Sequence, residues 1–206
     1  MATIYFETVE IGDPIPSLQK PPITRTQIAK YAAASGDYGP LHVDEEVARA
    51  SGYGSVFAHG MIAMAYVGEM MERWLGNGRV AHINVRFMKI IWPGDVLSAK
   101  GVVVRKSHED KSHRIDCDVW VQNQNHDIVL RGQAFCVVYQ NAQEEKSHGK
   151  GRPDPVQLKN LELAPAVKKP DQPKPQVGVA DKPPPRPPAQ AKGTPAAALG
   201  LATKAP

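Results

Sequence analysis

The last third of the sequence has no aromatic residues at all. All 13 aromatic residues of the 206-residue chain lie between Tyr5 and Tyr139, whereas 13 of its 19 prolines lie between Pro153 and Pro206. A segment that is rich in proline and lacks aromatic residues cannot bury a hydrophobic core. The sequence therefore predicts one folded domain over residues 1–140 and a disordered Pro/Ala/Lys-rich tail over residues 141–206.

The part that is expected to fold also lacks an excess of positive charge. Residues 1–140 contain 14 Lys and Arg against 15 Asp and Glu, a net charge of −1, whereas residues 141–206 carry a net charge of +5. The tail thus accounts for the overall charge of +4 and the pI near 9.0. This distribution argues against a nucleic-acid-binding domain, and we expect no nucleic-acid partner.

Membrane, export and zinc-binding signals are missing as well. No stretch of eighteen apolar residues is present, and the opening MATIYFETVEIGD is acidic rather than basic and then apolar. The two cysteines, Cys117 and Cys136, have no zinc-site spacing and fall in predicted strands. These absences predict a cytoplasmic protein with reduced thiols and no membrane partner.

One apolar helix followed by several strands dominates the secondary structure that we expect. The helix runs from Gly60 to about Leu75, and its first half, GMIAMAYV, is apolar on every side, so other elements must wrap it. Strand-like runs follow at residues 81–90, 95–106, 114–124 and 127–139, and a short strand is expected at residues 3–9 before a Pro-rich loop. The pattern predicts an α+β fold with a curled antiparallel sheet around a central helix.

The densest group of residues able to carry out catalysis is GDYGPLH at positions 36–42. Asp37 and His42 flank a Gly-Pro turn that lets the loop aim both side chains at one point. A carboxylate and an imidazole that converge can hold a water molecule and move protons in both directions. By spacing alone, the alternative is an Asp that caps its own turn and a His that is buried in the core.

Downstream, Ala58-His59-Gly60-Met61 opens the apolar helix. Backbone N–H groups at a helix start have no intrahelical partner and point along the positive end of the dipole. Since Gly60 permits a close approach, this helix start could polarise a carbonyl oxygen that gains negative charge during a reaction.

These motifs resemble those of the MaoC-like family of (R)-specific enoyl-CoA hydratases and 3-hydroxyacyl-thioester dehydratases. The resemblance rests on the segment YAAASGDYGPLHVDEEVARASGYGSVFAHGM, on the opening FETVEIGD, and on NVRF followed by WPGD. It covers about residues 5–139 and leaves the tail outside. The family fold is the hot-dog, an antiparallel sheet around one long helix that usually forms dimers.

The resemblance implies a hydro-lyase of fatty acid or acyl-CoA metabolism that adds water across a trans-2-enoyl thioester, or removes it. Asp37 and His42 match the catalytic pair, and Gly60 matches the residue whose N–H holds the thioester oxygen. No metal and no cofactor are expected, because coenzyme A or acyl carrier protein is part of the substrate. The expected partner is a second copy of the chain or a homologous subunit.

Three residues are expected to support this motif. Ser35 lies next to the catalytic loop, and His59 matches a family position at the helix start that we interpret as structural. Gly39 departs from the family pattern, which has Asn there. Since glycine supplies no amide and adds backbone freedom, this difference puts full activity in doubt.

Other side chains have two open interpretations each. Tyr31, Phe57 and Met64 could line an acyl pocket or belong to the core. Five basic side chains could bind the phosphates of coenzyme A or an acidic carrier protein, or could lie on a solvated sheet edge. They are Arg86, Lys89, Arg105, Lys106 and Arg114. The segment SHEDKSH is interpreted as a polar turn rather than a metal tract, and KPPPRPPAQ as disordered chain rather than a docking motif.

Two other functions compete with hydration. A non-catalytic hot-dog subunit could shape the acyl tunnel of a catalytic partner, and Gly39 motivates that hypothesis. A hot-dog acyl-CoA thioesterase usually places a carboxylate on the central helix, and here Glu69 and Glu72 lie late in that helix. We therefore rank the thioesterase last.

Overall fold

A single antiparallel sheet organises the chain, which a computed structural model describes over residues 3–109, 112–149 and 153. The five strands have the spatial order β1-β3-β4-β5-β2, so β1 and β2 lie at its two edges. The strands are β1 (Pro14–Gln19), β2 (Arg79–Phe87), β3 (Ser98–Glu109), β4 (Ser112–Gln122) and β5 (Ile128–Val138). The helices are α1 (Arg25–Ser35), α2 (Pro40–Val43), α3 (Glu45–Ala50), α4 (Gly60–Leu75) and α5 (Ala142–His148).

Helix α4 lies against the sheet and supplies much of the core. Its buried residues are Ile62, Ala63, Tyr66, Val67, Met70, Met71 and Leu75. They pack against the inward-facing side chains of the sheet, among them Ile115, Val119, Leu130 and Ala134. The predicted α+β architecture of a sheet around a central helix is therefore confirmed. The apolar half is not covered on every side, however, because Met61 is 46% exposed.

The four strands that follow α4 correspond to the four strand-like runs of the sequence. In β5, Leu130, Ala134 and Cys136 are buried in the core, whereas Arg131 is exposed on the opposite face. Cys117 in β4 and Cys136 in β5 are both buried and free, as expected for core residues. The adjacent Cys117 thiol and burial raise the pKa of the Cys136 thiol well above its usual range.

The first strand was predicted in the wrong place. Residues 3–9 form no strand, although the Phe6 N–H donates to the Tyr139 carbonyl over 2.9 Å. The strand is instead β1, within the segment that was expected to be a Pro-rich loop. Pro14 and Pro16 fit there because β1 is an edge strand, and a register shift between Ile15 and Leu18 lets both of these side chains point into the core.

The sequence Thr24-Arg-Thr-Gln27 predicts a capping box at a helix start, and α1 does begin after Thr24. The Thr24 side chain accepts a hydrogen bond of 3.0 Å from the Gln27 backbone N–H, but the Gln27 side chain does not complete the capping box. It instead donates to the Tyr66 hydroxyl on α4 over 2.6 Å. This bond ties α1, which leads into the candidate catalytic loop, to the central helix.

Helix α5 was not predicted and lies within the segment assigned to the tail. The Asn141 side chain caps it by accepting from Gln143 and Glu144, so regular structure continues beyond residue 140. The rest of the predicted tail lies outside the described residues apart from Pro153, and its disorder stays a prediction. No helix within the described ranges has the length and apolar character needed to cross a membrane.

Candidate active site

The loop after α1 places Asp37. Helix α1 ends at Gly36, whose φ of 74° is left-handed and suits glycine. The Ser35 hydroxyl then accepts from the Asp37 N–H over 3.2 Å, and the Asp37 Oδ1 accepts from the Gly39 N–H over 3.2 Å. These local bonds hold the turn while the Asp37 side chain stays 58% exposed. Ser35 therefore contacts the loop through its side chain, and its supporting role in a catalytic motif stays a prediction.

His42 lies on α2, with its ring orientation set by a backbone carbonyl. Its Nδ1 is 2.7 Å from the Phe57 carbonyl oxygen. Since a carbonyl only accepts hydrogen bonds, Nδ1 carries the proton and Nε2 is left as a base. The Phe57 ring also contacts the imidazole edge-on, with 5.0 Å between ring centroids.

His59 is the buried member of the group, with 2% of its surface exposed. Its Nε2 is 2.9 Å from the Asp37 carbonyl oxygen and 3.8 Å from the Asp37 Oδ2. Its ring stacks on His42 with a centroid distance of 3.9 Å and planes 28° apart. The structure thus brings together Asp37, His42 and His59, each with one polar atom within 4.8 Å of the others.

The three side chains also have the composition of a metal site, because each offers one possible ligand atom. The rings of His42 and His59 are stacked with their planes 28° apart. The absence of a metal stays a prediction.

Gly60 begins α4, and its N–H is at the positive end of that helix. The Phe87 ring lies directly over it, because a Cβ built on Gly60 would be only 2.7 Å from Phe87 Cδ1. Glycine is therefore needed here for the close approach of the ring. The His59 side chain at the N-cap makes no capping bond to α4.

A cleft of about 330 Å³ opens beside these residues. Its walls combine the end of β2, the segment after it and the start of α4. The lining residues are His42, Phe57, Ala58, Gly60, Phe87, Met88, Lys89, Ile90 and Ile91. Of the predicted acyl-pocket residues, Phe57 lines the cleft, whereas Tyr31 and Met64 are half-buried residues packed against the core.

Sequence reasoning missed the wall formed by residues 87–91. The run FMKII was expected to continue a strand, yet β2 ends at Phe87. The signal was present in the sequence, because four large apolar residues among five, interrupted only by Lys89, exceed what one buried strand face needs. Phe87, Met88 and Ile90 are 48%, 45% and 37% exposed, so their apolar surface faces the cleft or solvent.

Gly39 lies between the two catalytic candidates. A Cβ at this position would be 3.3 Å from both Asp37 Oδ1 and His42 Cδ2. Its φ of −49° and ψ of 125° are accessible to other residues, so the backbone does not require glycine. Gly39 therefore leaves open space between Asp37 and His42.

Most of the basic residues considered as phosphate contacts have partners in the protein. Arg105 and Arg114 each bind Asp116 over 2.6 Å, and Arg114 is buried. Lys89 donates to Asp127, and this bond holds the pKa of the Asp127 carboxyl below its usual range. Lys106 donates to the Val9 carbonyl, whereas Arg86 is exposed.

Most of the SHEDKSH segment belongs to the strands themselves, because β3 ends at Glu109 and β4 begins at Ser112. Its two remaining residues, 110 and 111, lie outside the described residues, so the polar turn stays a prediction. His108 and His113 face each other across the two strands, with 3.0 Å between their Nδ1 atoms. His113 also lies 3.3 Å from the Glu144 carboxylate of α5. Because both imidazoles have partners within the fold, their contacts are explained structurally.

An antiparallel sheet around one long helix is the architecture of a hot-dog protein. The family model described as MaoC like domain matches residues 7–124. This match covers more than half of the chain, and the chain belongs to the MaoC-like domain family.

Curated relatives agree with this membership. A 3-hydroxybutyryl-CoA dehydratase of Methylorubrum extorquens is 24% identical over 140 residues, which are 67% of this chain and 86% of that protein. An (R)-specific enoyl-CoA hydratase of Rhodospirillum rubrum is 27% identical over 138 residues, which are 65% of this chain and 91% of that protein. The chain is accordingly a hydro-lyase of the hydratase and dehydratase class.

Solved structures support the fold. The unliganded R-hydratase PhaJ1 from Pseudomonas aeruginosa superposes with a TM-score of 0.61 at 23% identity, over 68% of this chain and 88% of that one. At this identity the likeness shows the hot-dog fold, which the sequence predicted.

Proposed function

We propose that the protein catalyses the (R)-specific hydration of trans-2-enoyl thioesters, or the reverse dehydration of 3-hydroxyacyl thioesters. The observation that carries the proposal is the convergence of Asp37 and His42 beside an apolar cleft, with the Gly60 N–H at the same opening. The names of the two relatives, a dehydratase and an (R)-specific hydratase, support the same reaction.

The geometry supplies a base and a place for water. Because Nδ1 of His42 is bound to the Phe57 carbonyl, Nε2 can take a proton from a water molecule that the Asp37 carboxylate also holds. The hydroxyl then bonds to C3 of the enoyl group, and a proton is returned to C2. One water is thus added across the double bond, and dehydration reverses each step.

The start of α4 stabilises the charge that develops. As the hydroxyl adds to C3, the electron pair of the double bond moves towards the thioester oxygen and forms an enolate. The Gly60 N–H donates to this oxygen at the positive end of α4. The Phe87 ring lies on the Cβ side of Gly60 and would be close to the bound thioester.

The test uses a panel of trans-2-enoyl-CoAs of increasing chain length. Hydration is monitored as the loss of the absorbance of the conjugated thioester, and the configuration of the product is then determined. We expect hydration to the (R)-3-hydroxyacyl-CoA. Asp37→Asn and His42→Ala should each lower kcat by a factor of about 10² to 10⁴, as expected for a general acid–base group.

Asp44→Asn is the matched control. Asp44 is an exposed carboxylate near Asp37 in sequence, but it caps α3 by accepting from Glu46 and Val47, and Asn caps equally well. This variant should keep the normal rate. Near-normal rates for Asp37→Asn or His42→Ala would mean that the site assignment is wrong.

A non-catalytic subunit is the competing hypothesis, motivated by Gly39. It predicts no activity for the purified chain alone and activity after mixing with a homologous subunit. The geometry favours a catalytic chain, because Asp37 and His42 both keep the contacts that orient them. The same enoyl-CoA panel, run with and without the homologue, separates the two hypotheses.

The thioesterase has little support. Glu69 is nine residues along α4 from Gly60, a distance of about 14 Å at 1.5 Å per residue. A hydrogen bond from Lys20 holds the pKa of the Glu69 carboxyl below its usual range, and Arg73 binds the same carboxylate over 2.6 Å. We expect no release of free thiol from acyl-CoA.

We further propose that the chain forms a dimer with a second copy of itself or a homologous subunit. Strand β2 is a sheet edge, and edge strands offer unpaired backbone groups to another chain. The apolar residues Met61, Phe87, Met88 and Ile90 are exposed beside that edge or at the start of α4. Pairing there would cover them.

The choice between coenzyme A and acyl carrier protein as the substrate handle, the independence from metals and the cytoplasmic location stay predictions. Comparing rates on the same acyl group attached to coenzyme A and to carrier protein tests the first. Activity after exhaustive chelation tests the second.

A further inference from the structure

We propose that His59 is a positioning residue that holds the Asp37 loop and the His42 ring together from inside the protein. The inference rests on the proposed function, in which Asp37 and His42 act on water. Its basis is that one buried imidazole contacts both members of the pair, one through a hydrogen bond and the other through its ring face.

The hydrogen bond fixes the backbone of the aspartate. The His59 Nε2 is 2.9 Å from the Asp37 carbonyl oxygen, so this nitrogen carries the proton and donates it. The Asp37 side chain is 58% exposed and gains little order from packing. A bond to its main chain therefore limits where the carboxylate can go.

The ring face of His59 restricts the position of the His42 imidazole. The His59 and His42 rings stack with 3.9 Å between their centroids, and the Nδ1 bond of His42 to the Phe57 carbonyl fixes one edge of the same ring. Together the bond and the stacking define both the position and the tilt of the base. His59 is itself packed against Tyr31, at 4.8 Å between centroids.

Helix stability does not explain a histidine here. His59 is the N-cap of α4 yet makes no capping bond with its side chain, where Ser, Thr, Asp or Asn would make one. Its Nδ1 is buried and makes no hydrogen bond with the described residues, which is unfavourable for a polar atom. The contacts that account for this residue are those with Asp37 and His42.

Three substitutions separate the two contacts. His59→Gln keeps a donor near the Nε2 position but removes the ring, and His59→Phe keeps a ring but removes the donor. His59→Asn removes both, because its amide lies near the Nδ1 position and does not reach the Asp37 carbonyl. We expect kcat to fall about 10²-fold in His59→Asn and less in the other two, with KM within about twofold, since small misplacements slow chemistry.

His82→Asn is the matched control. His82 is a half-buried histidine of β2 that stacks on Phe135. Its Nε2 makes no hydrogen bond within the described part of the chain, and it is not among the residues that line the cleft. It should lose thermal stability without losing kcat. If His59→Asn lowers kcat no more than His82→Asn does, at a temperature where both are folded, the positioning role is refuted.

A second readout does not depend on the reaction. The NMR signals of the His42 ring should shift in His59→Gln and His59→Asn, which remove the stacked ring, and far less in His82→Asn. If the wild-type chain hydrates no substrate but the His42 signals shift as described, positioning stands and the proposed function fails. Unchanged His42 signals in all three His59 variants would overturn positioning, whatever the reaction is.

Discussion

Backbone atoms do most of the positioning at the scale of single residues. The Asp37 N–H, its carbonyl and its Oδ1 are bonded to Ser35, His59 and Gly39, and His42 Nδ1 is bonded to the Phe57 carbonyl. All of these bonds lie within the protein and restrain the two side chains. The catalytic candidates are therefore preorganised, which lowers the cost of reaching a reactive arrangement.

Gly39→Ala should slow the reaction without unfolding the protein. The new Cβ would lie 3.3 Å from Asp37 Oδ1 and from His42 Cδ2, so one of them must move by a few tenths of an ångström. We expect kcat to fall about tenfold, while the melting temperature stays within about 2 °C of the wild type, because alanine can adopt this backbone conformation.

Gly39→Asn, which introduces the family residue, is the comparison variant. Its amide can hydrogen-bond near the substrate, and we expect it to be faster than Gly39→Ala. A Gly39→Ala variant with wild-type kcat would show that the space between Asp37 and His42 has no role.

At the scale of elements, substitution by alanine should change the stability of the fold in opposite directions at two glycines. Gly132 in β5 pairs with Val85 of β2, and a Cβ there would be 2.0 Å from the Asn84 carbonyl oxygen. The main chain of a paired strand cannot move aside without losing its hydrogen bonds. We therefore expect Gly132→Ala to lower the free energy of unfolding by about 3 kcal/mol.

Gly68→Ala is the matched control, measured by the same denaturant titration. Gly68 lies inside α4, and a Cβ there meets nothing within 4 Å. Alanine in a helix interior is favoured over glycine by about 0.5–1 kcal/mol, so this variant should be more stable than the wild type. Equal destabilisation by both substitutions would contradict the close β2–β5 pairing.

Helix α5 and the N-terminal segment should be linked in a pH-dependent way. The Tyr5 hydroxyl donates to the Glu145 carboxylate over 2.6 Å, and Asn77 also donates to it. These bonds hold the pKa of Glu145 below its usual range. A carboxylate whose pKa is lower in the folded state stabilises the fold above its unfolded pKa, about 4.3, and this contribution is lost as the pH falls through the folded pKa.

Glu145→Gln should therefore lower the melting temperature by about 2 °C at pH 7, and the difference should shrink towards pH 3. Thermal melts from pH 3 to pH 7 measure it, with the exposed Glu7→Gln as control. A difference that is constant over this range would mean that the Glu145 charge does not stabilise the fold.

At the scale of the whole molecule, the sheet leaves one side of the site open. The cleft lies where edge strand β2 ends and α4 begins, and its wall includes Phe87, Met88 and Ile90, which are exposed. A single chain therefore leaves apolar surface uncovered next to its candidate catalytic pair, which is the basis for the proposed dimer.

Replacing Met88 and Ile90 together by Glu should convert a dimer into a monomer, because two charges would be placed in an apolar interface. Sedimentation equilibrium measures the mass directly. The control is Ile11→Glu, since Ile11 is 64% exposed and precedes β1 at the other sheet edge. A double variant that stays dimeric would place the interface elsewhere.

Much of this protein follows from the sequence. The helix Gly60–Leu75, the four strands after it and the capped start of α1 were all predicted, because local hydrophobic patterns and capping residues determine them. Asp37, His42 and Gly60 were singled out as candidates in the same way, through short motifs. The hot-dog fold follows from the resemblance that these motifs carry.

The tertiary structure decided the rest. Strand β1 was misread because its prolines are tolerated only at a sheet edge. Helix α5 was missed although its Asn141 cap is local, and its contacts with Tyr5 and Asn77 involve residues far apart in sequence. The role of His59 and the wall formed by residues 87–91 depend on packing between segments. Residue order alone determined which chemical groups are present, whereas folding decided which of them meet, because contacts across 22 residues or more depend on how the sheet and helices pack.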